Sequence, residues 1–183
     1  MFEVYIHVPF CLRRCGYCDF NTYTAVDMGA GASRGNYANM VIREMAIVRD
    51  WQTTHGINEP KVATVFFGGG TPTILDEQQL SSLLATIAGC VPVDTLEEYT
   101  LEAGRPDTIT AEKLHVAREY GISRISVNPQ ILCDEVLRGV GRMHTADDFF
   151  RAYSIARESG IECINTDLIV GLPGDCFKTF SDT

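Results

Sequence analysis

The sequence predicts an α/β fold of repeated βα units wrapped around a parallel sheet. Short apolar runs alternate with amphipathic stretches from one end of the chain to the other. Strand and helix segments of these lengths in alternation imply parallel strands joined by helical crossovers. The residues suited to chemistry fall just after the apolar runs, at the C-terminal ends of strands, where such folds place their sites.

Phe2 to Val8 reads as a first buried strand. A long loop follows through Cys18 to Ser33, with Gly29, Gly31 and Gly35 at its far end. Tyr37, Val41, Met45 and Val48 recur at helical spacing, which predicts a helix over about 36–52. Lys61 to Phe67 is a second strand, ended by Gly68, Gly69 and Gly70. Glu77 to Ile87 is helical, with Leu80, Leu83 and Leu84 on one face. Glu97 to Ala103 is a third strand and Ala111 to Tyr120 a third helix. Ile122 to Val127 is a fourth strand, halted by Asn128 and Pro129, and Asp134 to Val140 a short helix. Thr145 caps a helix to about Ser159, with Phe149, Tyr153 and Ala156 inward. Glu162 to Val170 is a fifth strand, closed by Gly171-Leu172-Pro173-Gly174. Right-handed crossovers curl such a sheet toward a barrel.

The 183 residues suit one domain with a real core. A formal net charge of −9 argues against a nucleic-acid surface, which needs a basic patch. No apolar stretch is long enough for a membrane span. The start of the chain reads as a strand and a cysteine loop, not a signal peptide, so a cytoplasmic location is expected. Seven cysteines, an odd number, argue against a secreted disulfide framework.

Three of those cysteines, Cys11, Cys15 and Cys18, form CxxxCxxC directly after the first strand. A cubane [4Fe–4S] cluster takes four thiolates, one per iron. Three thiolates this close hold three irons and leave the fourth open to a small molecule. Gly16 relaxes the loop, and Tyr17 sets an aromatic face beside the third thiolate. The same spacing also suits structural zinc with His7 as fourth ligand, or plain thiols in a reducing compartment. Cys90, Cys133, Cys163 and Cys176 are scattered singly and read as small core residues or incidental thiols. Arg13 and Arg14 are either a solvated pair or an anchor for a carboxylate-bearing substrate. Gly68-Gly69-Gly70-Thr71-Pro72 lets backbone approach a ligand closely.

In order, YIHVPFCLRRCGYCDFNTY, FFGGGTPT, LEAGRPD, GRMHT and INTDLIVGLPG resemble the radical S-adenosylmethionine (SAM) superfamily. Within it the chain is similar to the oxygen-independent coproporphyrinogen III oxidase family, which includes a haem chaperone branch. The resemblance implies that Cys11, Cys15 and Cys18 ligate a [4Fe–4S] cluster whose open iron chelates SAM. It implies that Tyr5 and Tyr17 contact SAM or the cluster, and that Gly69, Gly70 and Thr71 meet the methionyl amine. Glu102, Gln130, Arg142 and Asp167 match further SAM-pocket positions. The residue-level alternatives are a capping carboxylate for Glu102 and Asp167 and a surface charge for Arg142. Fe–S potentials run from about −700 to +450 mV, and the reductive cleavage of SAM that the resemblance implies needs the low end.

The same resemblance implies a porphyrin or haem ligand and an electron donor such as flavodoxin or ferredoxin. Phe20 stands where the oxidases usually carry a further cysteine, so CDF resembles the haem chaperone branch. LEAGRPD and SVNPQ resemble the coproporphyrinogen dehydrogenase-like branch. The expected function is a haem chaperone that keeps the cluster and SAM site; the alternative is oxidative decarboxylation of coproporphyrinogen III. The sequence stops at Thr183, whereas the family continues through more barrel and a further domain. Residues 1–183 are therefore expected to be a partial radical SAM core, an incomplete (βα) barrel truncated at its C-terminus.

Overall fold

A computed structural model describes residues 2–57 and 61–183. The five strands are β1 (Phe2–Val8), β2 (Val62–Gly69), β3 (Glu98–Glu102), β4 (Arg124–Ser126) and β5 (Cys163–Asn165). The helices are α1 (Tyr37–Thr54), α2 (Glu77–Cys90), α3 (Ala111–Glu119), α4 (Asp134–Gly139), α5 (Ala146–Glu158) and α6 (Phe177–Ser181). The strands form one parallel sheet in the order β1-β2-β3-β4-β5. Sequential order with helical crossovers is what the βα rhythm dictates.

Side-chain alternation splits the sheet into two chemically different faces. Ile6, Val8, Val65, Phe67, Tyr99, Leu101 and Ile125 point into the helical layer and are buried. They meet Leu80, Leu83, Leu84 and Ile87 of α2, Leu114 of α3 and Phe149 and Ala156 of α5. Each buried aliphatic side chain contributes about 1.5–3 kcal/mol. The opposite face carries polar and aromatic residues in register. Tyr5, Phe66, Thr100, Arg124 and Cys163 form one rung, and Glu102, Ser126 and Asn165 lie on the next. Arg124 pairs with Glu98 across β3 and β4 at 3.4 Å.

Helix starts follow local chemistry. Asp76 and Thr145 each form a capping box, with Gln79 and Asp148 reaching back. Thr110 caps α3 through the Lys113 amide.

Several boundaries differ from expectation. β2 runs through Gly69, because Val8 and Gly69 still pair. β5 ends at Asn165 rather than Val170; beyond it a bridge between Gln130 and Leu168 continues the pairing. Asp167 therefore lies past the strand, not late within it. On α1, Tyr37, Val41 and Met45 pack against the core as expected, joined by Ala38 and Ile42, whereas Val48 is exposed. Cys90, Cys163 and Cys176 are exposed thiols, and Cys133 is half-buried, so none of the four is fully buried in the core. The short α6 had no sequence signal beyond Phe177 and Phe180.

Candidate functional site

The cysteine loop leaves β1 at Pro9 and is clamped on two sides. Tyr23 N–H donates to Pro9 O at 2.7 Å, and Cys11 N–H donates to Tyr23 O at 2.9 Å. Gly16 N–H donates to Val140 O at the end of α4 at 2.8 Å. Cys11 and Cys15 are buried and Cys18 is half-buried. Among the described residues, no three His, Cys, Asp or Glu side chains are gathered tightly enough to hold one metal ion.

Each thiol has its own surroundings. The Cys11 sulfur lies 3.5 Å from the Thr71 hydroxyl. Gly70 makes that approach possible: a Cβ there would lie 2.6 Å from Phe10 O and 3.0 Å from Cys11 Sγ. Cys15 Sγ receives an N–H from Arg105 at 3.1 Å. The Tyr17 hydroxyl also hydrogen-bonds Cys15, and burial, reinforced by that sulfur, pushes the phenol up to about 12. Tyr17 thus bonds the second cysteine through its hydroxyl while lining the recess onto which the third opens. Cys18 opens onto a shallow recess shared with Tyr17, Asp19, Phe20 and Asn21.

The strand ends supply the opposite wall. Gly69 has φ +107°, and a Cβ there would meet His7 Nδ1 at 2.8 Å, so only glycine fits. Its amide donates to Glu102, whose carboxyl is pushed up chiefly by burial. His7 Nε2 faces the Asn21 carbonyl at 3.0 Å, so that nitrogen carries the proton and Nδ1 accepts from Tyr5 OH at 3.2 Å. His7 is therefore a strap between β1 and the loop. Tyr5 is half-exposed and stacks on Phe66 with centroids 6.0 Å apart.

Arg142 is 4% exposed, not a surface charge. It donates to Gly104 O at 2.9 Å and Asn128 O at 3.1 Å, tying the ends of β3 and β4 together. Its Nε is buried without a hydrogen-bond partner among the described residues. Gln130 is held at φ +67°, a conformation that costs a non-glycine residue roughly 1–3 kcal/mol. Its Oε1 is likewise buried and without a partner. Asp167 accepts from Asn128 Nδ2 at 2.9 Å and from Asn165 Nδ2 at 2.8 Å. His144, behind Arg142, presents Nε2 to Pro129 O at 3.3 Å and leaves Nδ1 bare. Burial, then the Arg142 charge, pushes its pKa down to about 4, so the ring is neutral.

Residues 5–183 match the Radical SAM superfamily. The chain belongs to this superfamily. Radical SAM proteins bind a [4Fe–4S] cluster and S-adenosylmethionine. The chain is 40% identical over 179 residues to the oxygen-independent coproporphyrinogen-III oxidase-like protein HemZ of Bacillus subtilis, covering 97% of this chain and 35% of that protein. It is 39% identical over 179 residues to the heme chaperone HemW of the same organism, covering 97% and 45%. Among solved structures, the coproporphyrinogen III oxidase HemN of Escherichia coli superposes with a TM-score of 0.80 at 29% identity, over 99% of this chain and 40% of that one. The chain thus spans less than half the length of these relatives.

The residues present fit the radical SAM cofactors. Two guanidiniums, Arg105 and Arg142, are buried beside Cys15, and neither is ion-paired with a carboxylate among the described residues. Buried cations of this kind need an anion, and thiolates or a bound carboxylate supply one. Buried Gln130 Oε1 and Arg142 Nε stand ready for a polar ligand, and the absence of a Cβ at Gly69 and Gly70 lets the end of β2 pack directly against His7 and the cysteine loop. Tyr5, Gly69, Gly70, Thr71, Glu102, Gln130, Arg142 and Asp167 all lie along the polar face or its C-terminal rim. Arg13 and Arg14 do not join them: Arg13 turns to Met143 Sδ and Arg14 to Cys18 O, and both are exposed.

Three residues were missed. Arg105 stood inside LEAGRPD without an assigned role. Asn128 does more than halt the fourth strand: it joins Arg142 to Asp167. His144 stood within GRMHT, and nothing in its spacing signalled burial.

Proposed function

We propose that this chain is the cluster- and SAM-binding core of a protein in the coproporphyrinogen oxidase-like group, and that the protein serves as a haem chaperone. Residues 1–183 constitute a partial radical SAM domain on this reading. Cys11, Cys15 and Cys18 supply the thiolates. Gly69, Gly70 and Thr71 give the ligand a backbone wall. Glu102 takes a hydrogen-bond donor of SAM, Arg142 and Gln130 hold its polar end, and Tyr5, Tyr17 and Asp167 complete the pocket. When bound, the cluster supplies one electron for reductive cleavage of the SAM sulfonium. The protein's own part is to bind, orient and exclude water, and the burial of Cys11, Cys15, Arg142 and His144 serves that end.

The observation that carries the chaperone reading is Phe20. It is 56% exposed, two residues past Cys18, on the open recess. An exposed aromatic there offers a flat apolar face to a porphyrin and no further thiol for radical chemistry. The HemN-like fold at a TM-score of 0.80 favours the second reading, oxidative decarboxylation of coproporphyrinogen III. Reduction calls for a small electron carrier such as flavodoxin or ferredoxin, and a cluster of this kind calls for a reducing compartment such as the cytoplasm. Among the described residues no helix is long and apolar enough to cross a membrane.

Reconstituted anaerobically, the protein should hold about four irons and four sulfides per chain. Cys11→Ala, Cys15→Ala and Cys18→Ala should each abolish loading, and Cys90→Ala should not. Stoichiometric zinc without sulfide overturns the cofactor reading. The loaded protein should bind haem and convert little coproporphyrinogen III with SAM and reductant. Many turnovers of protoporphyrinogen, measured by mass spectrometry, would overturn the chaperone reading in favour of the oxidase.

A further inference from the structure

We propose that Arg105 sets the reduction potential of the cluster through the Cys15 thiolate, an inference that rests on the cofactor reading above. Arg105 is 5% exposed. Its Nη2 donates to Cys15 Sγ at 3.1 Å and also to the Arg13 carbonyl, so one guanidinium grips both the sulfur and the loop that carries it. Its backbone is fixed equally firmly. Thr108 Oγ1 donates to Arg105 O at 2.8 Å, and the Thr73 hydroxyl donates in turn to Thr108 at 2.6 Å. Thr73 and Thr108 are both buried. The side chain is therefore aimed, not merely nearby.

The three thiols are unequal as a result. Cys11 has only a neutral hydroxyl at 3.5 Å, and no hydrogen bond reaches the Cys18 sulfur among the described residues. Among the described residues, Cys15 is the one of the three whose sulfur receives a hydrogen bond from a guanidinium, a permanent positive charge. Reduction adds one electron to the cluster and its thiolates. A cation and a hydrogen bond at one sulfur favour that extra charge, most strongly where water is excluded. Arg105 thus raises the potential, bringing the cluster within reach of a biological reductant. It is a positioning residue that acts through Cys15.

The test is a paramagnetic-resonance redox titration of the reconstituted protein without SAM, with dithionite supplying the electron. Iron and sulfide are assayed first. A parent protein that loads no cluster overturns the cofactor reading itself and this inference with it. Given a loaded parent, Arg105→Gln should lower the midpoint by about 59 mV, a tenfold change in a one-electron equilibrium constant. Arg105→Lys keeps the charge without the fork and should fall between the two. A residue that only straps the loop would lose iron in the glutamine variant yet leave the midpoint of the remaining cluster at the parent value; that result overturns the proposal. Where Arg105→Gln retains no cluster, Arg105→Lys decides, and a midpoint equal to the parent's overturns it.

Discussion

Gly70→Ala isolates the close packing between the end of β2 and the cysteine loop. The added Cβ would lie 2.6 Å from Phe10 O and 3.0 Å from both Phe10 C and Cys11 Sγ. Ordinary contact begins near 3.4 Å, so the loop must move by most of an ångström. It has little freedom to do so: Gly70 N–H donates to Val8 O at 2.7 Å, and Cys11 N–H to Tyr23 O at 2.9 Å. The obstacle is backbone, not a flexible side chain, which places the cost toward the upper part of the 1–3 kcal/mol range for overpacking, about 2–3 kcal/mol. That corresponds to roughly 1 M in the urea midpoint at a typical slope for small proteins. The same displacement carries Cys11 away from Thr71, so iron loading should fall well below the parent's. Gly89→Ala is the matched control: nothing lies within 4 Å of its Cβ position near the end of α2. It should stabilise by about 0.5–1 kcal/mol through helix propensity. A Gly70→Ala protein that unfolds at the parent midpoint and loads its full iron would refute the reasoning.

Two further outcomes are expected. Glu102→Gln should leave iron content unchanged and weaken the SAM-induced change in the cluster's paramagnetic resonance about tenfold, since a hydrogen bond to a charged group is worth about 1.5–3 kcal/mol; loss of iron and fold instead would make the residue structural. His144 has a folded pKa of about 4 against an ordinary 6.5, so below pH 6.5 the unfolded chain takes up a proton the folded one refuses, and stability from this group, full above pH 6.5, is lost as pH falls toward 4. The loss is of order 3 kcal/mol, and the urea midpoint of His144→Gln should fall less than the parent's over that interval.

The βα rhythm was legible because period-2 and period-3.6 apolar patterns report burial directly. Leu80, Leu83 and Leu84 are fully buried as expected, and Glu102 does end β3. What sequence could not give was the partner of each polar side chain. Tyr17 lies next to Cys18 in sequence but bonds Cys15, because the loop turns back on itself through the Cys18 amide and Cys15 carbonyl. Arg105 lies 90 residues from Cys15, and no local pattern encodes a contact at that separation. β5 is shorter than its apolar pattern suggests because Leu168 and Val170 are exposed and the regular ladder ends at Asn165, with Leu168 keeping a bridge to Gln130.

The alternation that builds the core also builds the site. Along β3, Tyr99 and Leu101 enter the helical layer while Glu98, Thr100 and Glu102 face the other way. One strand thus pays for its order with apolar burial and presents polar groups at the fixed 4.7–4.9 Å spacing of its neighbours. Glu102, Ser126 and Asn165 owe their alignment to register alone. The cysteine loop needs separate bracing, because it lies outside the ladder. Tyr23, Val140, His7 and Arg105 provide it from four directions. Three of those braces hold backbone and leave the sulfurs alone. Arg105 alone holds backbone and sulfur together, so a change there couples loop geometry to thiolate charge in a way no other brace can.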